Sequence, residues 1–104
     1  MKQKPVIKNL KISAKARYDL IQIGKYTESK WGRNQRNLYL KQLDQAIKLI
    51  GANSMIGKDR AYVLPGYRSL QQGSHVIYYR EFEEIEIIRI LHKQMDVEKH
   101  IQKT

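Results

Sequence analysis

The chain has 104 residues, of which 41% are hydrophobic, so its size and composition are those of one globular domain. It has no cysteine, which excludes disulfides and thiolate metal sites. Its 20 Lys and Arg against 10 Asp and Glu give a net charge of +10, which predicts an acidic partner such as nucleic acid, an acidic protein or an anionic surface. No stretch approaches the roughly 20 apolar residues of a membrane helix, and we see no signal peptide, so we expect a soluble cytoplasmic protein.

The first half of the chain predicts a strand and two helices. Pro5 to Ile12 (PVIKNLKI) has the composition of a strand. Ser13 is a good N-cap, and the helix that follows ends at Gly32, with one face formed by Ala16, Leu20, Ile23, Thr27 and Trp31. A second helix is predicted from Asn34 to Gly51, with an apolar stripe of Tyr39, Leu43, Ala46, Ile47 and Ile50. We expect the helices to form an antiparallel hairpin that Trp31 closes from the core.

The second half predicts a loop and three strands. Residues 52–66 contain Gly57, Pro65 and Gly66 and are expected to be a loop. The strands are predicted at Tyr67–Gln71, His75–Phe82 and Ile85–His92, the last two joined by a tight hairpin. The fold class is therefore α+β, with an N-terminal strand, a two-helix antiparallel hairpin and a three-stranded antiparallel sheet. We expect residues 1–104 to form a single domain whose tail, 93–104, either packs on the sheet or stays free.

The register of the terminal hairpin decides which side chains face the helices. If Phe82 pairs with Ile85, Tyr78 faces Arg89. One face, which we assign to the core, then carries Ile77, Tyr79, Ile88 and Ile90, with His92 at its end. The other carries Val76, Tyr78, Arg80, Phe82, Ile85, Ile87, Arg89 and Leu91. This mixture of aromatic, aliphatic and Arg residues is typical of protein interfaces, unless a loop or the tail covers it. A one-residue slip would exchange the two sets.

Several segments, in this order, resemble the ParE branch of the RelE/ParE toxin superfamily. They are Ser13–Ile23 (SAKARYDLIQI), the Tyr26…Trp31-Gly32 helix end, Asn53–Lys58 (NSMIGK), Leu64–Leu70 (LPGYRSL), the terminal strands and Met95-Asp96. Ser54 stands where relatives usually have proline. The resemblance spans about residues 7–101.

The resemblance implies the toxin of a type II toxin–antitoxin module, of the kind that stabilises plasmids or chromosomes. Such a toxin is expected to bind the DNA-cleaving subunit of DNA gyrase without being an enzyme, and to form a hetero-oligomer with a ParD-like antitoxin. A basic toxin suits an acidic antitoxin. We predict partner contacts at Arg68, Tyr78, Arg80, Arg89, His92 and Met95, and no cofactor or metal.

Two alternatives stay open. A RelE-like, ribosome-dependent mRNA endoribonuclease would use Arg68, Arg89 and His92 on the phosphate and the transferred protons, and Arg80 or Tyr79 could assist. The predicted register separates His92 from Arg80 and Arg89, which disfavours it. Arg68 could instead be a structural arginine that hydrogen-bonds loop carbonyls. His75, His92 and His100 have no metal-site spacing. The second alternative is an inactive toxin kept as an antitoxin-binding module.

Overall fold

The structure is a computed structural model that describes residues 9–101, so positions 5–8 of the predicted first strand lie outside the described residues. The helices are α1 (Ala14–Trp31), α2 (Arg33–Ala52) and a short α3 (Val97–His100), with a 3-10 turn at Ser54–Ile56. The strands are β1 (Leu10–Ile12), β2 (Lys58–Asp59), β3 (Tyr67–Gln72), β4 (His75–Glu81) and β5 (Ile85–His92). The predicted order of strand, two helices and three strands is confirmed.

Helix α1 begins and ends where its capping residues predict. The Ser13 hydroxyl accepts a hydrogen bond from the Ala16 N–H at 3.0 Å, and Gly32 ends the helix with φ +90°, a conformation that favours glycine. The prediction that Trp31 lies in the core is wrong, since its side chain is 64% exposed. Trp31 lies on the same face of α1 as buried Thr27, one helical turn further along. At Trp31 this face no longer contacts the core and borders an open groove.

Helix α2 runs past Gly51, which was predicted to end it. The helix continues to Ala52, and the Asn53 N–H closes it on the Leu49 carbonyl. Gly51 is buried, and a Cβ there would lie 3.4 Å from Leu10 Cδ1. This is an ordinary van der Waals distance, so α2 packs against β1 at this point.

The sheet is larger than the three antiparallel strands predicted. Its order is β1-β5-β4-β3-β2, with β1 parallel to β5 and the other pairs antiparallel. Strand β2 lies in the segment expected to be a loop, and it pairs Lys58 with Ser69. Two residues are too few to show a strand periodicity in sequence.

A β-bulge between Tyr78 and Tyr79 corrects the predicted faces of the terminal hairpin. Tyr78 pairs with Arg89 as predicted, but Tyr79 pairs with Ile87 and Glu81, not Phe82, pairs with Ile85. The extra residue in β5 reverses the alternation beyond it. The helix-facing core therefore contains Ile77, Tyr79, Ile85, Ile87 and Ile90, and Ile88 belongs to the opposite face.

The opposite face of the sheet is covered. This confirms the alternative that a loop or the tail lies over it. Tyr67, Val76, Tyr78 and Leu91 form a second buried cluster with Ile101 of the tail, and Leu64 and Val97 pack against it. Tyr78 is only 7% exposed. The tail thus packs on the sheet as far as residue 101.

Candidate functional site

A groove opens between the helix hairpin and the end of the sheet at which β4 begins and β5 ends. Its volume is about 540 Å³, within the range of small-molecule sites. It is lined by residues of α1, α2, the turn between β3 and β4, the facing ends of β4 and β5, and the segment after β5: Gln22, Ile23, Tyr26, Thr27, Trp31, Gln35, Tyr39, Ser74, His75, His92 and Met95.

Two histidines and a tyrosine form the polar floor of this groove. His75 and His92 are directly opposite each other on β4 and β5, with ring centroids 5.5 Å apart. The Tyr39 hydroxyl lies 2.6 Å from His75 Nδ1, accepts from the Ser74 N–H at 3.1 Å and donates to the Gln72 carbonyl at 3.2 Å. Burial, and then the neighbouring His92, lower the pKa of His75, while Asp19 acts in the opposite direction. Burial also raises the pKa of Tyr39, so its hydroxyl keeps its proton at neutral pH.

The turn that joins β3 to β4 allows Tyr39 to reach this position. Gly73 has φ +60°, and a Cβ there would lie 2.7 Å from Tyr39 Cε1. A glycine is therefore required both by the backbone conformation and by the tyrosine ring beside it.

The outer wall of the groove is aromatic and exposed. Tyr26 and Trp31 make an edge-to-face contact with centroids 6.2 Å apart, and Lys30 Nζ lies 5.9 Å from the Tyr26 ring centroid. Tyr26 is 55% and Trp31 64% exposed, and Met95 is half exposed. Large exposed aromatic residues of this kind commonly mark binding surfaces.

Arg68 lies away from the groove and holds the chain that follows α2. Its Nη1 donates to the Gly57 carbonyl at 2.8 Å, which is the structural contact with a loop carbonyl that the sequence left open. On the neighbouring strand, the Tyr79 hydroxyl accepts from the Gly57 N–H at 2.9 Å and donates to the Ser54 carbonyl at 2.6 Å. Burial raises the pKa of Tyr79. This residue therefore stays protonated in a structural role.

Arg80 lies at the opposite end of β4, beside the turn to β5. It donates to Glu86 at 2.9 Å and its guanidinium lies 5.6 Å from the Phe82 ring centroid. Lys11 pairs with Glu84 nearby, at 3.2 Å. This end of the sheet is therefore rich in carboxylates that compensate its cations.

Arg89 forms a largely buried ion pair with Asp19. Its Nε and Nη2 donate to the two Asp19 carboxylate oxygens at 2.8 and 2.9 Å, and Nη1 donates to the His100 carbonyl at 3.0 Å. Asp19 also accepts from the Ile90 N–H at 2.9 Å. The cluster joins α1, β5 and the tail.

The structure thus brings together two of the six predicted contact residues, His92 and Met95, in the groove. Arg68, Arg80 and Arg89 lie at three separate places, and Tyr78 is buried. Sequence reasoning missed His75, Tyr39 and Tyr26 as groove residues. Pairing His75 with His92 extends the predicted Tyr78–Arg89 register by three residues, so that signal was present in the sequence.

Two further properties of residues 9–101 bear on function. They contain no group of three or more His, Cys, Asp or Glu residues placed to hold a metal ion. None of the helices in this range is long and apolar enough to cross a membrane.

The fold is shared with solved toxin–antitoxin structures. A chain of the chromosomal ParDE system from P. aeruginosa matches with a TM-score of 0.71 and 24% sequence identity. The match covers 83% of this chain and 96% of the P. aeruginosa chain. A chain of the RelBE2 toxin–antitoxin complex from Mycobacterium tuberculosis matches with a TM-score of 0.62, covering 85% and 100%, at 19% identity. The chain is therefore a small α+β protein with the RelE/ParE toxin fold.

Sequence comparison narrows this class to one family. Residues 10–97 match the family model described as the ParE toxin of the type II toxin-antitoxin system parDE. The chain is 38% identical to Toxin ParE1 of Mycobacterium tuberculosis over 92 residues, which cover 86% of this chain and 94% of that protein. It is 35% identical to Toxin ParE1 of Caulobacter vibrioides over 95 residues, which cover 91% of this chain and 99% of that protein. It is 31% identical to Toxin ParE of Escherichia coli over 88 residues, which cover 83% of this chain and 85% of that protein. The chain belongs to the ParE toxin family of type II toxin–antitoxin systems, and the resemblance stated from its sequence is confirmed.

Proposed function

We propose that this toxin acts as a non-enzymatic inhibitor of DNA gyrase in the cytoplasm, by binding the DNA-cleaving subunit of gyrase and stabilising the cleaved DNA complex. The observation that carries the non-enzymatic part is the separation of the candidate catalytic residues. On β4, Arg68 is paired with Tyr79 and His92 is paired with His75. Tyr79 and His75 are four residues apart, so Arg68 and His92 are separated by about 13 Å along the strands. Arg89 is bound to Asp19 and to the tail. A phosphate could not contact all three of these side chains at once.

We also propose that a ParD-like antitoxin neutralises the toxin within a hetero-oligomer. The net charge of +10 supports an acidic antitoxin, whose association would be steered by electrostatics and would weaken as salt rises. Of the predicted contact residues, Tyr78 is buried and Arg89 is held by Asp19 and the tail, whereas Arg68, Arg80, His92 and Met95 are at least partly exposed. Titrating the antitoxin at several salt concentrations tests this part of the proposal. An affinity that does not change with salt would mean that apolar contacts dominate.

The gyrase proposal is tested by incubating the purified toxin with gyrase, supercoiled DNA and ATP. We expect linear, protein-linked DNA to accumulate, and the antitoxin to prevent it. Met95→Ala should weaken this effect, because Met95 lies in the groove. Met55→Ala is the matched control, since Met55 is 65% exposed but lies in the 3-10 turn, outside the groove lining. Absence of cleaved DNA with a folded toxin would overturn the proposal.

A ribosome-dependent ribonuclease is the second candidate, and one observation favours it. His75 and His92 lie side by side in an open groove, and paired imidazoles can act as acid and base. Under this hypothesis, toxin added to translating ribosomes cuts mRNA, and His92→Ala abolishes cutting. Under the gyrase hypothesis, mRNA stays intact. Expression without growth arrest would instead favour the inactive toxin that only binds its antitoxin.

A further inference from the structure

We propose that the groove between the helix hairpin and the open end of the sheet binds a nucleotide, either free or as one unstacked unit of a single strand. The base would lie against Tyr26 and Trp31, with its polar edge on the two histidines. Such a site would extend the proposed function, since it could hold the nucleic-acid component of a gyrase–DNA complex.

The charge distribution along the sheet favours an anion at this end. Four of the chain's ten acidic residues, Glu81, Glu83, Glu84 and Glu86, lie at the turn between β4 and β5. His75 lies six residues from Glu81, which is about 20 Å along the strand. Among the described residues, no Asp or Glu lines the groove, and Lys30 lies over Tyr26. The charges next to lining residues in sequence are mixed, since Lys93 follows His92 and Asp96 follows Met95.

The histidines provide two hydrogen-bonding groups to the groove, a donor on His92 and a group on His75 that can donate or accept. His92 Nδ1 accepts from the Gln94 N–H at 3.2 Å, so neutral His92 carries its proton on Nε2 and can donate from there. The single proton of the Tyr39 hydroxyl can go to the Gln72 carbonyl at 3.2 Å or to His75 Nδ1 at 2.6 Å. His75 Nε2 is an acceptor in the first arrangement and a donor in the second. The first arrangement places a donor next to an acceptor, which matches the edge of a nucleobase, since that edge presents both kinds of group.

The wall and the floor together favour a base over an apolar side chain of a partner protein. An apolar side chain would fit against Tyr26 and Trp31 but would leave the imidazole groups of the floor without partners, which is unfavourable once water is excluded. A nucleobase satisfies both surfaces, since its face stacks on aromatic rings and its edge forms hydrogen bonds. Gln22 and Gln35, which also line the groove, have amides that suit the same ligand.

Trp31 allows a direct test, because it is the only tryptophan in the chain and lines the groove. The toxin alone, without gyrase or antitoxin, is titrated with AMP, with adenosine, and with an oligodeoxyadenylate of a few nucleotides. We expect saturable quenching of Trp31 fluorescence by AMP, weaker quenching by adenosine, and loss of this difference at high salt. A response to the oligonucleotide at much lower concentration than to AMP would identify a strand as the source of the nucleotide, and similar responses would identify the free nucleotide.

Matched tyrosine variants show whether the quenching comes from the groove. Tyr26→Ala should weaken AMP binding roughly tenfold, because it removes one stacking surface. Tyr18→Ala is the control, since Tyr18 is also on α1 and is 61% exposed but is not among the groove residues. Equal weakening by both variants would overturn the proposal, as would the absence of saturation at millimolar AMP in a protein that circular dichroism shows to be folded.

An acidic peptide containing one leucine separates the nucleotide proposal from a protein-docking groove. If this peptide quenches Trp31 in a Tyr26-dependent manner and AMP does not, the groove binds a protein segment and the nucleotide proposal is wrong. Because the titration contains no gyrase, a toxin that binds AMP but does not trap gyrase would refute only the proposed function.

Discussion

Removal of the Asp19 carboxylate is expected to destabilise the protein strongly. In Asp19→Ala, Arg89 loses two hydrogen bonds and its counter-ion, and the Ile90 N–H loses its acceptor. The two side chains are only 10% and 18% exposed, so an unpaired Arg89 charge would be poorly solvated. Breaking a buried ion pair from one side costs about 3–5 kcal/mol, and the partial exposure of Arg89 points to the lower end, about 3 kcal/mol. For a domain of this size, that lowers Tm by about 12 °C or more.

Urea denaturation followed by far-UV circular dichroism measures this loss. Tryptophan fluorescence is a poor probe of unfolding here, because Trp31 is already 64% exposed in the folded protein. Asp44→Ala is the matched control, since Asp44 pairs with Lys48 at 3.0 Å on the exposed side of α2. An exposed pair of this kind contributes about 0.5 kcal/mol or less. A loss below about 1 kcal/mol for Asp19→Ala, or equal losses for both variants, would refute the reasoning.

Three further predictions concern stability. Gly57→Ala should cost about 2 kcal/mol in thermal melts, because its Cβ would overlap the hydroxyl of fully buried Tyr79. Gly24→Ala should be neutral or stabilising, because its Cβ would meet the end of the Leu40 side chain at 3.2 Å and Arg36 side-chain atoms at 3.8 Å, and alanine favours the helix. Tyr79→Phe should cost about 1–3 kcal/mol by urea denaturation, because the buried Gly57 N–H loses its acceptor; an unchanged stability would mean that another group replaces it. The pKa of His75 is lowered in the folded protein, so below the ordinary value of 6.5 the unfolded chain binds more protons than the folded one. The free energy of unfolding should therefore fall as pH drops through 6.5. His75→Gln should reduce this dependence of stability on pH. If His75→Gln leaves the pH dependence of stability unchanged, that dependence comes from other groups.

The helices could be predicted closely because their signals are local. Ser13 caps α1 with its own side chain, and Gly32 ends it through its backbone conformation. The α2 stripe from Leu43 to Ile50 is buried as its spacing predicts. These signals depend on residues within one or two turns of each other, so they do not require knowledge of the rest of the fold.

The place of β1 in the sheet, and the strand β2 itself, could not be predicted because their pairing is non-local. Strand β1 has three residues, and its partner in β5 is 75 positions away, from Leu10 to Ile85. The two residues of β2 become a strand only because Lys58 and Asp59 lie beside β3. Neither the parallel pairing nor the two-residue strand has a periodic pattern from which it could be read.

The β-bulge explains why the fold could be predicted better than the site. A single extra residue at Ile88 reverses the faces of β5 on the turn side, which moves Ile85 and Ile87 into the helix-facing core. From Tyr78 and Arg89 to His75 and His92 the predicted register holds, so His92 lies opposite His75. The two predicted contact residues that line the groove, His92 and Met95, lie on the His75 side of the bulge and outside the covered face. The groove is also where exposed aromatic residues and the two histidines come together.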